Sequence, residues 1–160
     1  MSGAHQTHMA KRHTAIRRLL LERLYALDVL GGTPQEVDIQ SRGASQDLEE
    51  LGDRAFEGVL EGLSASLHEL WDDREHIDAE ISKVSPRWRI DRMATLDRNV
   101  LRLGIWALQK DPDAAIVILN DCIELAKRYG DKGSSGFVNG LLDQFCQNHG
   151  ISLKRPKRRK

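Results

Sequence analysis

The chain has 160 residues, about the length of one domain, so it can bury a core without disulfides or a metal ion. It is 40% hydrophobic and 30% charged with only four prolines, a composition typical of a helical globular protein. No apolar stretch approaches the roughly 18 residues of a membrane span, and the first residues lack the apolar core of a signal peptide. We therefore expect a cytoplasmic protein that makes no contact with a membrane.

The formal net charge of zero conceals an uneven distribution of charge along the chain. Residues 1–18 carry four basic groups and residues 151–160 carry six, and neither segment has an acidic residue. The middle of the chain holds all 24 acidic residues with the other 14 basic ones. Basic ends on an acidic body favour contact of the ends with a polyanion, although a terminal basic run can equally serve solubility alone.

Apolar residues recur with the 3.6-residue period of a helix, and no strand-like alternation is sustained. A first helix is predicted from about Thr14, its N-cap, to Leu30, where two glycines end it. Its inward stripe comprises Ile16, Leu20, Leu24, Leu27 and Leu30. Residues 31–46 are rich in Gly, Ser, Gln and Pro, which predicts an exposed loop. A second helix is predicted over about 46–70, with Leu48, Leu51, Ala55, Val59, Leu60, Leu63 and Leu67 facing inward.

Two further helices are predicted on either side of a break at Ser85-Pro86. The first is short, over about 73–83. The second, over about 95–109, is apolar around most of its circumference. A helix of that kind is usually wrapped by others, so we expect it to be central.

The C-terminal third predicts two more helices. Asp111 as the cap and Pro112 in the first turn begin one helix, which Gly130 ends as a C′ glycine. Ser134 or Ser135 is the predicted cap of the last helix, which Gly150 ends. The predicted fold is therefore all-α, with six to seven helices in a single compact domain over 11–150. We expect a flexible N-terminus over 1–10 and a basic, disordered tail over 151–160.

The residues that could carry catalysis or bind a metal are scattered. Cys122 and Cys146 lie 24 residues apart without a neighbouring Cys or His pair, and both are predicted to be buried, reduced thiols. The six histidines have no ligand spacing, and no nucleophile, phosphate-loop or metalloprotease motif is present. We therefore predict a protein that is not an enzyme, with no catalytic residue, no metal and no cofactor.

Three collinear segments resemble the NusB family of transcription antitermination factors. The first is Arg17-x-x-Leu-Leu-Glu-Arg-Leu24-Tyr25-x-x-Asp28, and the second is Trp88-Arg-Ile-Asp-Arg92 followed by Leu96-Asp-Arg98-Asn-Val-Leu101-Arg102-Leu103. The third is Leu119-Asn120-Asp121-Cys-Ile-Glu124-Leu-Ala126-Lys127-Arg-Tyr-Gly130 with Ser134-Ser-Gly-Phe137-Val138-Asn139-Gly140-Leu-Leu-Asp143. In order and spacing the three segments span about residues 17–145, which is more specific than any single motif.

The resemblance implies a helical protein that binds boxA-type single-stranded RNA together with NusE, a small-subunit ribosomal protein. It also implies work with RNA polymerase and other Nus factors in a complex that reads through terminators, notably in ribosomal RNA operons. Family members bind RNA through an arginine-rich first helix and through residues near the loop before the last helix. The RNA-binding residues implied here are Lys11, Arg12, Arg17, Arg18, Tyr25, Lys132, Ser134, Ser135 and Phe137.

Physical chemistry supports this assignment and leaves alternatives open. Arginine and lysine neutralise phosphates and arginine stacks on bases, but a basic helix face can also be merely solvated. Tyr25 can pack in the core with its hydroxyl at the surface or contact RNA or NusE, and Phe137 can be a core residue. Glu22 stands where the family usually has Gln, and Gly133 stands where family members often have an acid.

The NusE interface is expected to include Tyr25, Arg102 and Trp106. Trp106 can serve as an apolar anchor or belong to the core. The family commonly has a glutamate where this chain has Ala107, so the partnership is implied by the resemblance rather than by these residues. The alternatives to a NusE–RNA protein are a homodimeric protein–protein module with latent RNA binding and a binder of duplex DNA through the basic tail.

Overall fold

In a computed structural model, the backbone is described for residues 2–41 and 53–154, and side chains for residues 3, 12–37 and 58–154. These residues form seven α-helices and two short 3₁₀ turns and contain no β-strand, which confirms the all-α prediction. The helices belong to two compact units, Met1–Asp73 and Arg74–Lys160. None of the helices in the described ranges combines the length and apolarity needed to cross a membrane.

The first unit consists of α1 (Ser2–Leu30), α2 (Pro34–Ser41) and α3 (Asp53–Asp72), which pack against one another. Helix α1 begins at Ser2 rather than near Thr14, and residues 2–13 contain no proline that would interrupt it. Thr14 is therefore an exposed residue inside the helix and not its N-cap. Most of the predicted stripe residues are buried, namely Leu20, Leu24, Leu27, Val59, Leu63 and Leu67. Ile16 and Leu60, also predicted to face inward, are half-buried.

Leu30 was predicted to face inward, and the structure contradicts this, because its side chain is 79% exposed. Leu30 is the last residue of α1, and the chain turns away at Gly31 and Gly32, which have φ values of 75° and 96°. Only a residue without a Cβ adopts this left-handed backbone easily. The periodicity of α1 continues to Leu30, but the turn carries the chain away from it.

Helix α2 corrects the prediction of a loop over residues 31–46, because residues 34–41 are helical. The Thr33 amide donates to Glu36 Oε2 at 2.9 Å, and the Glu36 amide donates to Thr33 Oγ1 at 3.3 Å. These reciprocal bonds form a capping box, with Pro34 at the first helical position, where its missing N–H costs nothing. Val37 is the buried side chain that faces the rest of the unit.

Some predictions lie outside the described residues. They concern the side chains of Lys11, Leu48, Leu51 and Ala55, and the part of the basic tail beyond Lys154.

The second unit consists of α4 (Arg74–Val84), α5 (Thr95–Lys110), α6 (Ala115–Tyr129) and α7 (Ser134–Asn148). The 3₁₀ turns Ile90–Arg92 and Pro112–Ala114 precede α5 and α6. Helix α5 packs against α4, α6 and α7 and is buried along most of its length, so its central place within this unit is confirmed. Its buried residues are Asn99, Val100, Leu101, Arg102, Leu103, Gly104, Ile105, Ala107 and Leu108.

The ends of α6 differ from the prediction. The Asp111 side chain makes no capping hydrogen bond, because the chain first passes through the 3₁₀ turn, in which the Ala114 amide donates to the Asp111 carbonyl at 3.1 Å. Gly130 ends the helix with an extended backbone (φ −94°, ψ −174°) and not as a left-handed C′ glycine. A Cβ at Gly130 would lie 2.6 Å from the Ala126 carbonyl oxygen and 2.6 Å from Ser134 Cβ. Close approach, rather than a positive φ, therefore requires glycine at this position.

The prediction that Gly150 ends α7 is confirmed. Gly150 has a φ of 64°, and the next amide, that of Ile151, donates to the Cys146 carbonyl at 2.9 Å. This is the hydrogen bond of a Schellman C-cap, which satisfies a carbonyl in the last turn of the helix.

Both cysteines are buried and carry free thiols, as predicted. Burial, helped by the nearby negative charge of Asp143, raises the pKa of the Cys146 thiol to about 11. The thiolate is the reactive form of cysteine, so Cys146 is chemically inert at neutral pH.

Candidate nucleic-acid interface

One exposed face of α1 carries basic, acidic and aromatic side chains together. Arg18, Glu22, Tyr25 and Val29 are spaced four, three and four residues apart, which places them on one side of the helix. Arg18 is half-buried, Glu22 and Val29 are exposed, and Tyr25 is 43% exposed. We call these four residues the α1 strip. It presents a guanidinium and a phenol ring on the same helix face.

The other predicted basic residues of α1 do not all share this face. Arg12 is exposed, whereas Arg17 is only 9% exposed and lies a quarter of a turn away from Arg18. A second arginine, Arg23, is also buried, and its Nη1 donates to the Leu19 carbonyl at 3.4 Å. Of the predicted arginines with described side chains, Arg12 and Arg18 are therefore the more accessible, and Arg17 is turned towards the interior.

The loop of residues 130–133, between α6 and α7, exposes Asp131, Lys132 and Gly133. Ser134, predicted as a cap and an RNA contact, is buried instead. Its Oγ accepts a hydrogen bond from the Asp131 amide at 3.0 Å, and its own amide donates to the Asp131 carbonyl at 3.0 Å. Ser134 therefore closes the loop rather than capping α7, because Gly130 leaves room for its side chain against the end of α6.

Apart from the Ser134 amide, which donates to the Asp131 carbonyl, the first amides of α7 remain open to an anion. Its cap residue is Gly133, which has no side chain to accept from the first amides of the helix. Such amides carry partial positive charge and bind phosphate or carboxylate oxygens. Lys132 is exposed in the loop, and Ser135 in the first turn is half-buried. This end of the second unit therefore combines backbone donors with a lysine ammonium group.

Trp88 was not among the predicted site residues, although it lies within one of the NusB-like segments. Its indole is 63% exposed and meets the ring of Phe137 edge to face, with 6.3 Å between centroids and 86° between planes. Phe137 is half-buried in the first turns of α7. Three exposed arginines, Arg87, Arg89 and Arg92, are close to Trp88 in sequence. A tryptophan flanked by arginines just after a Ser-Pro turn is a signal that the sequence already contained.

Arg102, predicted to contact NusE, has an internal role in this structure. Its Nε donates to Asp78 Oδ1 at 2.7 Å and its Nη2 donates to Asp78 Oδ2 at 2.8 Å, while Nη1 donates to Asn99 Oδ1 at 3.1 Å. The residue is buried, and its guanidinium joins α5 to α4.

The other two predicted partner contacts differ in accessibility. Tyr25 is exposed in the α1 strip, whereas Trp106 on α5 is half-buried. The Lys110 ammonium nitrogen lies over the Trp106 ring, 5.9 Å from its centroid, so one face of the indole is partly covered. The buried Trp106 Nε1 has no hydrogen-bond acceptor among the described residues.

Glu80 on α4 is a buried carboxylate outside these surfaces. Its Oε1 accepts from Lys83 Nζ at 2.7 Å, and its Oε2 lies 3.2 Å from His149 Nε2. The hydrogen bond from Lys83 lowers the pKa of Glu80 below its ordinary value, with His149 acting in the same direction and burial acting against both. The residues that the structure describes contain no cluster of three or more side chains suited to a metal ion.

The helical fold and these basic and aromatic surfaces define a candidate nucleic-acid-binding protein. The sequence matches the model of the NusB family over residues 14–147, and the chain belongs to this family. It is 40% identical over 146 residues to the transcription antitermination protein NusB of Sorangium cellulosum (strain So ce56), an alignment that covers 89% of this chain and 96% of that protein. The resemblance of the sequence to the NusB family is therefore confirmed.

Solved structures agree on the fold. NusB from T. maritima superposes with a TM-score of 0.67 at 28% identity, covering 84% of this chain and 89% of that one. A chain in the crystal structure of antitermination factors NusB and NusE in complex with double-stranded RNA gives a TM-score of 0.70 at 24% identity, covering 86% and 98%. The fold is therefore the all-α NusB fold. Membership of a family of transcription antitermination factors also confirms that the chain is not an enzyme.

Proposed function

We propose that this protein is a transcription antitermination factor that binds boxA-type single-stranded RNA together with NusE. The family match over residues 14–147 carries the proposal. Antitermination factors NusB and NusE have been crystallised in complex with double-stranded RNA, which supports NusE and RNA as the partners of this protein. By extension, the complex assists RNA polymerase with other Nus factors in the cytoplasm, notably during transcription of ribosomal RNA operons.

Two surfaces with the chemistry for RNA support the proposal. The α1 strip offers Arg18 to a phosphate or base and the exposed ring of Tyr25 to a base. The end of the second unit offers Lys132 and the open N-terminus of α7 to phosphates, and Phe137 to a base. Stacking favours a single strand, because bases in a duplex are already stacked on one another.

The test is RNA binding measured by fluorescence anisotropy, with a boxA-like single strand and a scrambled strand at two salt concentrations, with and without purified NusE. We expect preference for boxA that increases with NusE. An Arg18→Ala/Tyr25→Ala variant should lose this preference, and loss of one phosphate contact should reduce the slope of log Kd against log salt by about 0.7.

Lys110→Gln, measured without NusE, is the matched control, because it removes one exposed positive charge from the end of α5, which carries none of the residues of the two surfaces. Its affinity for RNA should equal that of the wild type. Equal, steeply salt-dependent binding to both strands, indifferent to NusE, would reject the proposal. Concentration-dependent size without RNA binding would instead favour a homodimeric protein–protein module.

A further inference from the structure

We propose that Trp88 is a stacking residue for an unpaired RNA base, with Phe137 as its support. This inference rests on the proposed function and extends the candidate RNA surface to a segment outside α1 and the 130–133 loop. A large aromatic ring that is 63% exposed is unusual in a protein whose other two tryptophans, Trp71 and Trp106, are half-buried. Exposed aromatic rings are the common platform on which proteins stack single-stranded bases.

The backbone of Trp88 is fixed although its side chain is exposed. The Trp88 amide donates to the Ser85 carbonyl at 3.0 Å, which closes a tight turn through Pro86. Ser85 is buried, and its hydroxyl lies 2.8 Å from the Ile81 carbonyl oxygen and 3.3 Å from that of Trp88. The turn is therefore attached to the end of α4.

The segment after Trp88 is held in the same way. The 3₁₀ turn at Ile90–Arg92 is closed by hydrogen bonds from Arg92 N to Arg89 O at 3.0 Å and from Met93 N to Ile90 O at 3.3 Å. Arg98 Nη1 on α5 donates to the Ile90 carbonyl at 3.1 Å. An indole on such a backbone loses little conformational freedom when a ligand stacks on it, which favours binding.

The charged side chains next to Trp88 favour a nucleic acid over an apolar protein surface as its binding partner. Arg87 and Arg92 are exposed, and Arg89, 72% exposed, forms an ion pair with Asp91 at 2.9 Å. The segment therefore carries net positive charge around its aromatic ring. Guanidinium groups bind the phosphates on either side of a stacked base, a combination that an apolar protein surface would not need.

The edge-to-face contact with Phe137 joins this segment to the start of α7, where Lys132 and the open helix N-terminus lie. The Phe137 ring supports the indole from one side. Aromatic pairs of this kind contribute about 0.5–1.5 kcal/mol of stabilisation in addition to that from the apolar area they bury. A strand that reaches the 130–133 loop can therefore place an unstacked base on Trp88. Duplex RNA offers no such base, so Trp88 should contribute to single-strand preference.

The experiment compares Trp88→Ala, Trp88→Leu and Trp88→Phe with wild type, using a boxA-like single strand and the same sequence as a duplex. Trp88→Ala and Trp88→Leu should weaken single-strand binding by roughly 5- to 150-fold, the range that stacking on one base gives, while duplex binding changes little. Trp88→Phe should retain most of the affinity, because it keeps a ring. The salt slope should stay unchanged in all three variants, since no phosphate contact is removed.

Tryptophan fluorescence provides a second readout. RNA should quench wild-type emission, and the quench should disappear in Trp88→Phe although that variant still binds. A quench that persists in Trp88→Phe, or single-strand affinity that is unchanged in Trp88→Ala, would overturn the inference and leave the proposed function standing. Weakening seen only when NusE is present would make Trp88 a protein contact and also overturn it. If wild type binds no single-stranded RNA, both proposals fail together.

Discussion

Arg102 on α5 and Asp78 on α4 form a two-point ion pair, with N–O distances of 2.7 and 2.8 Å. The side chain of Arg102 is 9% exposed and that of Asp78 is 25% exposed, so water screens this pair less than a surface pair. Asn99 completes the arrangement by accepting from Arg102 Nη1. The pair connects two helices of the second unit and makes Arg102 a structural residue.

Removal of Asp78 should therefore destabilise the protein strongly. Asp78→Asn leaves a buried guanidinium without its carboxylate, and the free energy of unfolding should fall by about 3 kcal/mol. The measurement is urea unfolding followed by circular dichroism. Glu124→Gln is the control, because the Glu124–Lys127 pair spans 3.6 Å with both side chains more than half exposed, and its loss should change stability by less than about 0.5 kcal/mol. Equal effects in both variants would contradict the structural role.

Gly130→Ala should destabilise the loop between α6 and α7. The added methyl would lie 2.6 Å from the Ala126 carbonyl oxygen and from Ser134, so the chain must move, at a cost of about 1–3 kcal/mol. Gly133→Ala, three residues later, meets nothing within 4 Å and has a φ of −91°, so only the preference for glycine over alanine at an N-cap is lost, at a cost below about 1 kcal/mol. Thermal melts of the two variants compare the sites directly, and a larger loss at Gly133 would refute the packing argument.

Thr33→Ala tests the capping box of α2. It removes the hydroxyl that accepts from the Glu36 amide and should lower the free energy of unfolding by about 1 kcal/mol. Gln35→Ala changes an exposed residue between the two capping residues and should have almost no effect. Hydrogen exchange of the α2 amides should increase in Thr33→Ala alone, and protection that is unchanged would rule out the cap.

Glu80 should make stability depend on pH. Because Lys83 and His149 hold the pKa of Glu80 below its ordinary value of 4.5, the charged carboxylate stabilises the folded state. This contribution is present above pH 4.5 and is lost as the pH falls through the lowered pKa. Glu80→Gln should thus cost about 1 kcal/mol at pH 7 and less at pH 3. Unfolding curves at the two pH values test this, with the exposed Glu61→Gln as control, and a cost that does not depend on pH would contradict it.

The sequence predicted the elements whose signal is local and periodic. Helices α4 to α7 begin and end within about three residues of the predicted bounds. Helix α5 is central in its unit because apolar residues occupy most of its circumference. Helix α2 was missed because its proline and the glycines on either side of it were interpreted as a loop. The motif Thr33-Pro34-Gln35-Glu36 nevertheless contains both partners of a capping box and a proline at the favoured position.

The candidate site was predictable in composition but not in orientation. Composition and the resemblance predicted Arg17, Arg18 and Ser134 as RNA-binding residues, but the side chains of Arg17 and Ser134 are buried. Arg102 was expected at a partner surface, but it forms an ion pair with Asp78. Asp78 lies 24 residues away in sequence, and local sequence patterns do not reveal a pairing over that separation. Trp88 was visible in its motif, but its contact with Phe137 depends on how the turn meets α7.

The burial of both native thiols makes the folded chain effectively free of accessible cysteine. Cys122 and Cys146 are fully enclosed, and the thiol of Cys146 has a pKa of about 11. A cysteine introduced at an exposed position such as Val117 would therefore be the sole target of a maleimide dye under native conditions. The protein can thus carry a single fluorophore at a chosen position without prior removal of its own cysteines.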